Sequence, residues 1–295
     1  MSAATTTVSL PKGRAVQGFF RELTRSKAGF AGFVLVALIV GMTIIAPLVV
    51  DPANPTTLDK IWGGPSLEHP LGTDGSGKDT LKQILLGGQT VIFVGFAAAL
   101  LTTVIAVVIG SLAAYFRGRF DGVMLQLTDI VMTIPQIVLL AVMGAFFRLD
   151  SPVALAVLIG ALSWPVLMRS IRAQVLTLKE REFVEAARLL DLGTLRVVFI
   201  EIVPNMASYI LINFIIAVTN AIYALVGLYL LGLAPLAGAN WGLMINDAWI
   251  KGAMFDQNAI LYILAPVTMI VLLQLGLIML TRSLEEILNP RLRDR

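Results

Sequence analysis

Three places in this chain hold residue types and spacings that could do chemistry. The stretch Gly72-Thr73-Asp74-Gly75-Ser76-Gly77-Lys78 fits G-x-x-x-x-G-K, the opening of a loop whose backbone N–H groups and lysine cradle phosphates. That loop needs Ser or Thr next, to hold magnesium, and an apolar strand before it. Here Asp79 follows and Pro65 to Pro70 precedes, so the segment reads as a structured turn instead. The second place is Asp129, the one acid well inside an apolar run, and an ionisable group at such depth is by default a functional candidate, here a proton relay. A relay recruits several such groups with basic partners, which the surrounding sequence does not offer. Asp129 is therefore expected near the cytoplasmic end of its helix, facing a wet cavity or capped by a neighbouring span. A lone histidine, His69, and the absence of cysteine leave no basis for a histidine- or thiolate-based metal or catalytic centre.

The third place is the polar stretch from Arg169 to Asn205. Thr177-Leu178-Lys179-Glu180 fits the capping pattern S/T-x-x-E and predicts a helix start. The helix would run through Arg181 to Leu190, with Phe183, Ala187 and Leu190 as an apolar stripe. Arg181, Glu185 and Arg188 would form a charged face, at spacings suited to pairing along a helix. Gly193 is a suitable stop and Thr194 a suitable cap for a second short helix, Leu195 to Val203, closed by Pro204. An amphipathic helix with two alanines and a charged margin suits a groove on another protein. It suits at least as well a place on the lipid surface or packed under the bundle, its charges merely solvated.

The elements that position these residues follow from composition. The chain has 295 residues, 57% hydrophobic and 14% charged, with a mean hydropathy of +0.86. A soluble core of this size cannot hide so much apolar surface, so the surplus must face lipid. Crossing the hydrocarbon takes roughly 20 apolar residues. Runs of that length lie at 28–50, 91–116, 122–147, 151–168, 206–233 and 257–281. Gly87 and Gly88, before the second run, suit an interface. Gly232, Pro235, Gly238 and Gly242 make 234–258 poor material for a lipid-exposed helix. That segment is expected to be irregular, dipping back into the protein. Pro135, Pro165 and Pro266 fall within spans and should kink them. The expected fold is all-α, a polytopic membrane protein with six spans.

Charge placement orients it. Seventeen of the 22 Lys and Arg fall on segments 1–27, 117–121, 169–205 and 282–295, and five on the alternate segments. Positive charge marks the cytoplasmic side, so both ends are expected inside. The chain divides into a basic stretch 1–27, a first span, an external segment 51–90, a five-helix core 91–282 and a tail 283–295. The core holds a cytoplasmic loop 170–205 and an external segment 234–258. Arg14 to Lys27, with Phe19 and Phe20 among charges, fits an interfacial helix on anionic lipid.

REFVEAARLLDLGTLRVVFIEIVPN, Arg181 to Asn205, resembles the signature of permease subunits of ATP-binding cassette importers. Glu185-Ala186-Ala187, Ile202 and Pro204 occupy matching positions. The signature's glycine falls on Asp191, and a glycine comes two residues later, as Gly193. His69-Pro70-Leu71-Gly72-Thr73-Asp74 followed by Gly77-Lys78-Asp79 resembles the oligopeptide/dipeptide branch, the OppC/DppC type. Phe19 to Val50, Tyr115 to Gly118 and the Asp129–Pro135 spacing are similar as well.

The resemblance implies the type I importer permease fold, with the 170–205 loop as a coupling helix. Glu185 would contact the ATPase through its charge, and Ala186 and Ala187 would allow close approach. Arg181, Asp191, Gly193, Ile202 and Pro204 would shape the loop. It further implies a second related permease chain, two cytoplasmic ATP-binding subunits that hold ATP and Mg, and an external solute-binding protein. Besides these and membrane lipids no partner is expected, nucleic acid included, and no cofactor or catalytic residue is expected in this chain. The competing reading is a secondary transporter working alone on an ion gradient through Asp129.

Overall fold

The structure, a computed structural model, describes residues 26–147, 149–234 and 238–288. The interfacial reading of Arg14 to Lys27 falls almost entirely outside the described residues, as do Arg291, Arg293 and Arg295. Short polar side chains set the helix starts. Ser26 accepts from the Gly29 N–H at 3.2 Å and opens α1 (Lys27–Val49). Asp79 accepts from the Lys82 N–H at 2.8 Å and opens α2 (Thr80–Phe116). A sharp corner leads into α3 (Gly118–Thr133), and α4 (Gln136–Phe146) follows. Ser151 caps α5 (Pro152–Leu178), with Pro152 in its first turn. Then come α6 (Glu182–Leu189), a helical stretch over 194–205, and α7 (Ala207–Leu230). Asn240 caps α8 (Trp241–Ile250), and α9 (Ile260–Leu288) closes the described chain. Among the described residues the only extended pairing is an isolated bridge between Thr73 and Asp79.

The protein is an all-α, multi-pass membrane protein. Five helices are long and apolar enough to cross a membrane, and α3 with α4 makes a sixth crossing when the two are taken as one broken span. The break is sharper than a proline kink. Ile134 and Pro135 separate the two helices, whose axes differ by 88°. Through Pro165 and Pro266 the helices continue.

α2 and α5 form the spine, brought together by small residues. A Cβ on Gly160 would lie 2.8 Å from the Ala98 carbonyl, and one on Gly110 would lie 2.7 Å from the Met168 carbonyl. Packing rather than water exclusion holds helices together in lipid, and it requires such close approach. The Thr102 hydroxyl adds a hydrogen bond to the Gly160 carbonyl at 3.1 Å. Outward, Leu38, Ile44 and Leu48 of α1 and Phe93, Phe96 and Leu100 of α2 stay exposed, an apolar belt suited to lipid.

Two expectations are corrected here. The second long helix starts at Thr80, not near 91, so Gly87 and Gly88 lie inside it. They are buried, because Asn240 and Trp241 press against Gly87, and Thr43 and Trp241 against Gly88. The 234–258 segment is not simply irregular either. Its centre is α8, whose fully buried Trp241 donates from Nε1 to the Ile84 carbonyl at 2.8 Å. A short helix can sit at this place because α2 and α9 cover it.

Candidate functional site

α2 begins at the Gly72–Lys78 turn and ends beside the 169–205 stretch, so the first and third candidate regions lie at opposite ends of one helix. In the turn, Gly72 and Gly77 take positive φ. The buried Asp74 carboxylate accepts from the N–H groups of Ser76 at 2.7 Å and Lys78 at 2.9 Å. These are donors that a phosphate would need, and the chain's own carboxylate occupies them. His69 Nδ1 stands 2.7 Å from Asp79, and the whole turn serves as the N-terminal fastening of α2.

At the other end α5 runs straight through the expected capping box. Thr177 lies inside the helix, and its hydroxyl bonds back to the Ala173 carbonyl at 3.3 Å. The chain turns only at Lys179 and Glu180, and Arg181 precedes α6 without a side-chain cap. The pattern failed because a helix already in progress needs no N-cap.

α6 buries Val184 and Ala187 in one apolar cluster with Ala114, Val175 and Ile202. Of the expected stripe only Ala187 is inside; Phe183 is partly exposed and Leu190 largely so. Three and four residues after Val184 come Ala187 and Arg188, so the inward face is narrow, and the rest of this short helix faces away from the bundle. Glu182 and Glu185 sit in the first turn and Arg188 in the last, the arrangement that suits the helix dipole. Among the described residues no ion pair joins Arg181, Glu185 and Arg188. Arg188 instead lies over the Tyr115 ring, 5.3 Å from its centroid.

The turn after α6 resolves the departure at Asp191. The Leu192 N–H bonds to the Ala187 carbonyl at 3.2 Å, and the Asp191 N–H to that of Arg188 at 2.9 Å. These two bonds define a Schellman ending, which places the residue after the cap in the left-handed region. Asp191 has φ 52°. A position where glycine is favoured is held by aspartate, which tolerates this conformation better than most residues do. Gly193, expected as the stop, has an ordinary φ of −56° and precedes Thr194 as the cap residue. The following stretch is not a uniform helix. Val197–Ile202 is π-helical, with Ile202 buried and Pro204 exposed just beyond.

Several polar contacts tie this region to the spine, and pattern reading missed them. Lys179, only 4% exposed, donates from Nζ to the Ala114 carbonyl at 2.6 Å. Burial first, then the Arg117 charge, holds the Lys179 ammonium below its ordinary pKa. Arg117, at φ 56°, turns the corner into α3 and donates to Glu180 at 3.1 Å. Arg172 binds Asp121 by two hydrogen bonds. Arg169 pairs with Asp129 and donates to the Thr128 hydroxyl at 3.0 Å. Asp129 therefore has a basic partner after all, supplied by α5 and invisible in its own span. Arg169 and Arg172 recur at helical spacing at the end of an apolar run, which was the signal that acids on a neighbour must meet them.

Residues 106–294, from the second half of α2 onward, match the family described as binding-protein-dependent transport system inner membrane component. The oligopeptide transport system permease protein OppC of Bacillus subtilis (strain 168) is 30% identical over 276 residues, covering 91% of this chain and 87% of that protein. A protein of Brucella suis biovar 1, provisionally named a peptide transport system permease protein, is 30% identical over 276 residues, 92% of this chain and 91% of its own. Another from the same organism, provisionally named a peptide permease protein, is 32% identical over 241 residues, 81% of this chain and 78% of its own. Those matches take in both the spine and the helix that projects from it, and the chain belongs to the family of binding-protein-dependent transport system inner membrane components.

Proposed function

We propose that this chain is the permease subunit of an ATP-driven importer of peptides, and that α6 is the part an ATP-hydrolysing partner grips. The observation that carries the reading is the outward face of α6. Leu189 and Leu190 are 83% and 74% exposed beside Glu185, on a helix that buries only Val184 and Ala187. Exposed apolar side chains edged by charge mark a protein contact. The peptide assignment rests on the names of the relatives.

In this reading Glu185 makes the charged contact, the exposed Ala186 keeps the helix slim enough for a cleft, the buried Ala187 seats it closely on the bundle, and Asp191 with Pro204 shapes the exit. The excess of Lys and Arg on the basic loops supports a cytoplasmic α6 with both chain ends on the same side. Two ATP-binding subunits, which hold the ATP and Mg, dock on this chain and on a second, related permease. An external solute-binding protein meets the end bearing the 72–79 turn and α8. Reconstitution tests it. The assembled complex in vesicles should take up peptides only with ATP, and uptake by this chain alone, driven by an ion gradient, would sink the proposal in favour of a secondary transporter.

A further inference from the structure

Lys179 is buried, yet it belongs neither to the exposed face of α6 nor to the apolar packing beneath it. A buried ammonium is costly, so its partner must explain it. That partner is the Ala114 carbonyl, in the last turn of α2. Carbonyls there have no helical donor of their own. Two more contacts join the same short stretches: Arg117 to Glu180, and Arg188 over Tyr115. Residues 114–117 at the end of α2 are thus held by residues 179–188 on either side of the turn into α6. Of the three contacts only the Lys179 bond is shielded from water, so it alone escapes screening.

We infer that Lys179 is a positioning residue for coupling: it makes the end of α2 move with α6, so that a displacement imposed on α6 reaches the spine helix and the α2–α3 corner as well as α5. The inference rests on the importer reading above. α5 runs directly into the turn before α6, whereas α2 is joined to that turn only through side-chain contacts, of which the Lys179 bond is the buried polar one. A carbonyl clasped by an ammonium supplies one that can follow a rigid displacement, because the lysine stem keeps its reach as the two helices shift together.

The test uses the complete complex, with its partner subunits, in vesicles, and a labelled mixture of di- to pentapeptides as probe. Co-purification is read first, then uptake and ATP hydrolysis on the same preparation. Lys179→Met keeps the bulk and removes the donor. It should lower the peptide taken up per ATP hydrolysed roughly tenfold while hydrolysis stays within about twofold. Lys179→Arg, which restores a buried cationic donor, should recover most of that ratio. Should the methionine variant not assemble, Lys179→Gln carries the same expectation. An unchanged ratio, or uptake and hydrolysis falling in proportion, overturns the inference. Absence of ATP-driven uptake by the unmodified complex overturns the importer reading and this inference with it.

Discussion

Arg172 of α5 closes on Asp121 of α3 through two parallel hydrogen bonds, Nε to Oδ1 at 2.5 Å and Nη2 to Oδ2 at 2.6 Å. With Arg169 and Asp129 further along, the pair forms a second rung between the same two helices. α3 buries little else, only Asp121 and Thr128. The rungs therefore hold in place a helix that apolar packing barely holds.

Removing one member of the Arg172–Asp121 pair strands the other in a poorly hydrated site. Asp121→Asn should cost about 2 kcal/mol. In a thermal scan of the purified protein this reads as a midpoint lowered by roughly 5 °C. The exchanged pair, Asp121→Arg with Arg172→Asp, should recover part of the loss. A single variant as stable as the parent would show that the rung contributes nothing.

The left-handed Asp191 makes a prediction of opposite sign. Asp191→Gly should stabilise the end of α6 by about 1 kcal/mol, since glycine takes this φ without a Cβ penalty. Asp191→Val should destabilise it by at least as much. Slower amide exchange over 182–192 in the glycine variant checks the first, and faster exchange in the valine variant the second.

Glu185→Lys should leave the helices folded and abolish retention of the ATP-hydrolysing subunits. The side chain is exposed and makes no ion pair among the described residues, so its charge serves no internal contact. Co-purification with tagged ATPase subunits measures this, and full retention would count against the docking role.

In the 72–79 turn the carboxylate matters and the lysine ammonium does not. Asp74→Ala removes the acceptor for the Ser76 and Lys78 N–H groups and for the Gln83 amide. It should open the turn to limited proteolysis. Lys78→Ala should leave nucleotide binding by the complex unchanged, and lost affinity there would revive the phosphate-loop reading.

The long apolar runs were legible because lipid demands an unbroken apolar surface, which one residue after another must supply. Their ends were less so. Thr177 to Glu180 satisfies a helix-start pattern inside a helix, and Gly87 with Gly88 looks like a loop until Trp241 is seen to need the space. The 169–205 stretch stood out through its resemblance to a family signature, but its inward face was misread, since Val184 rather than Phe183 is buried. Asp129 shows the general reason. Its partner, Arg169, lies 40 residues away on another helix, and no pattern along one segment can report it. Lys179 was legible only as half of a false cap. Its meaning depends on where α2 ends, which is a fact of three dimensions.

α1 lies along α9, where a Cβ on Gly32 would meet the Gly276 carbonyl at 2.8 Å and one on Gly29 would strike the Ser283 side chain. The first and last helices of the described chain are thus neighbours, and the bundle is a loop whose seam lies between them. A polypeptide arranged in this way should tolerate being opened at an exposed connection and rejoined across the seam with the same helices in touch.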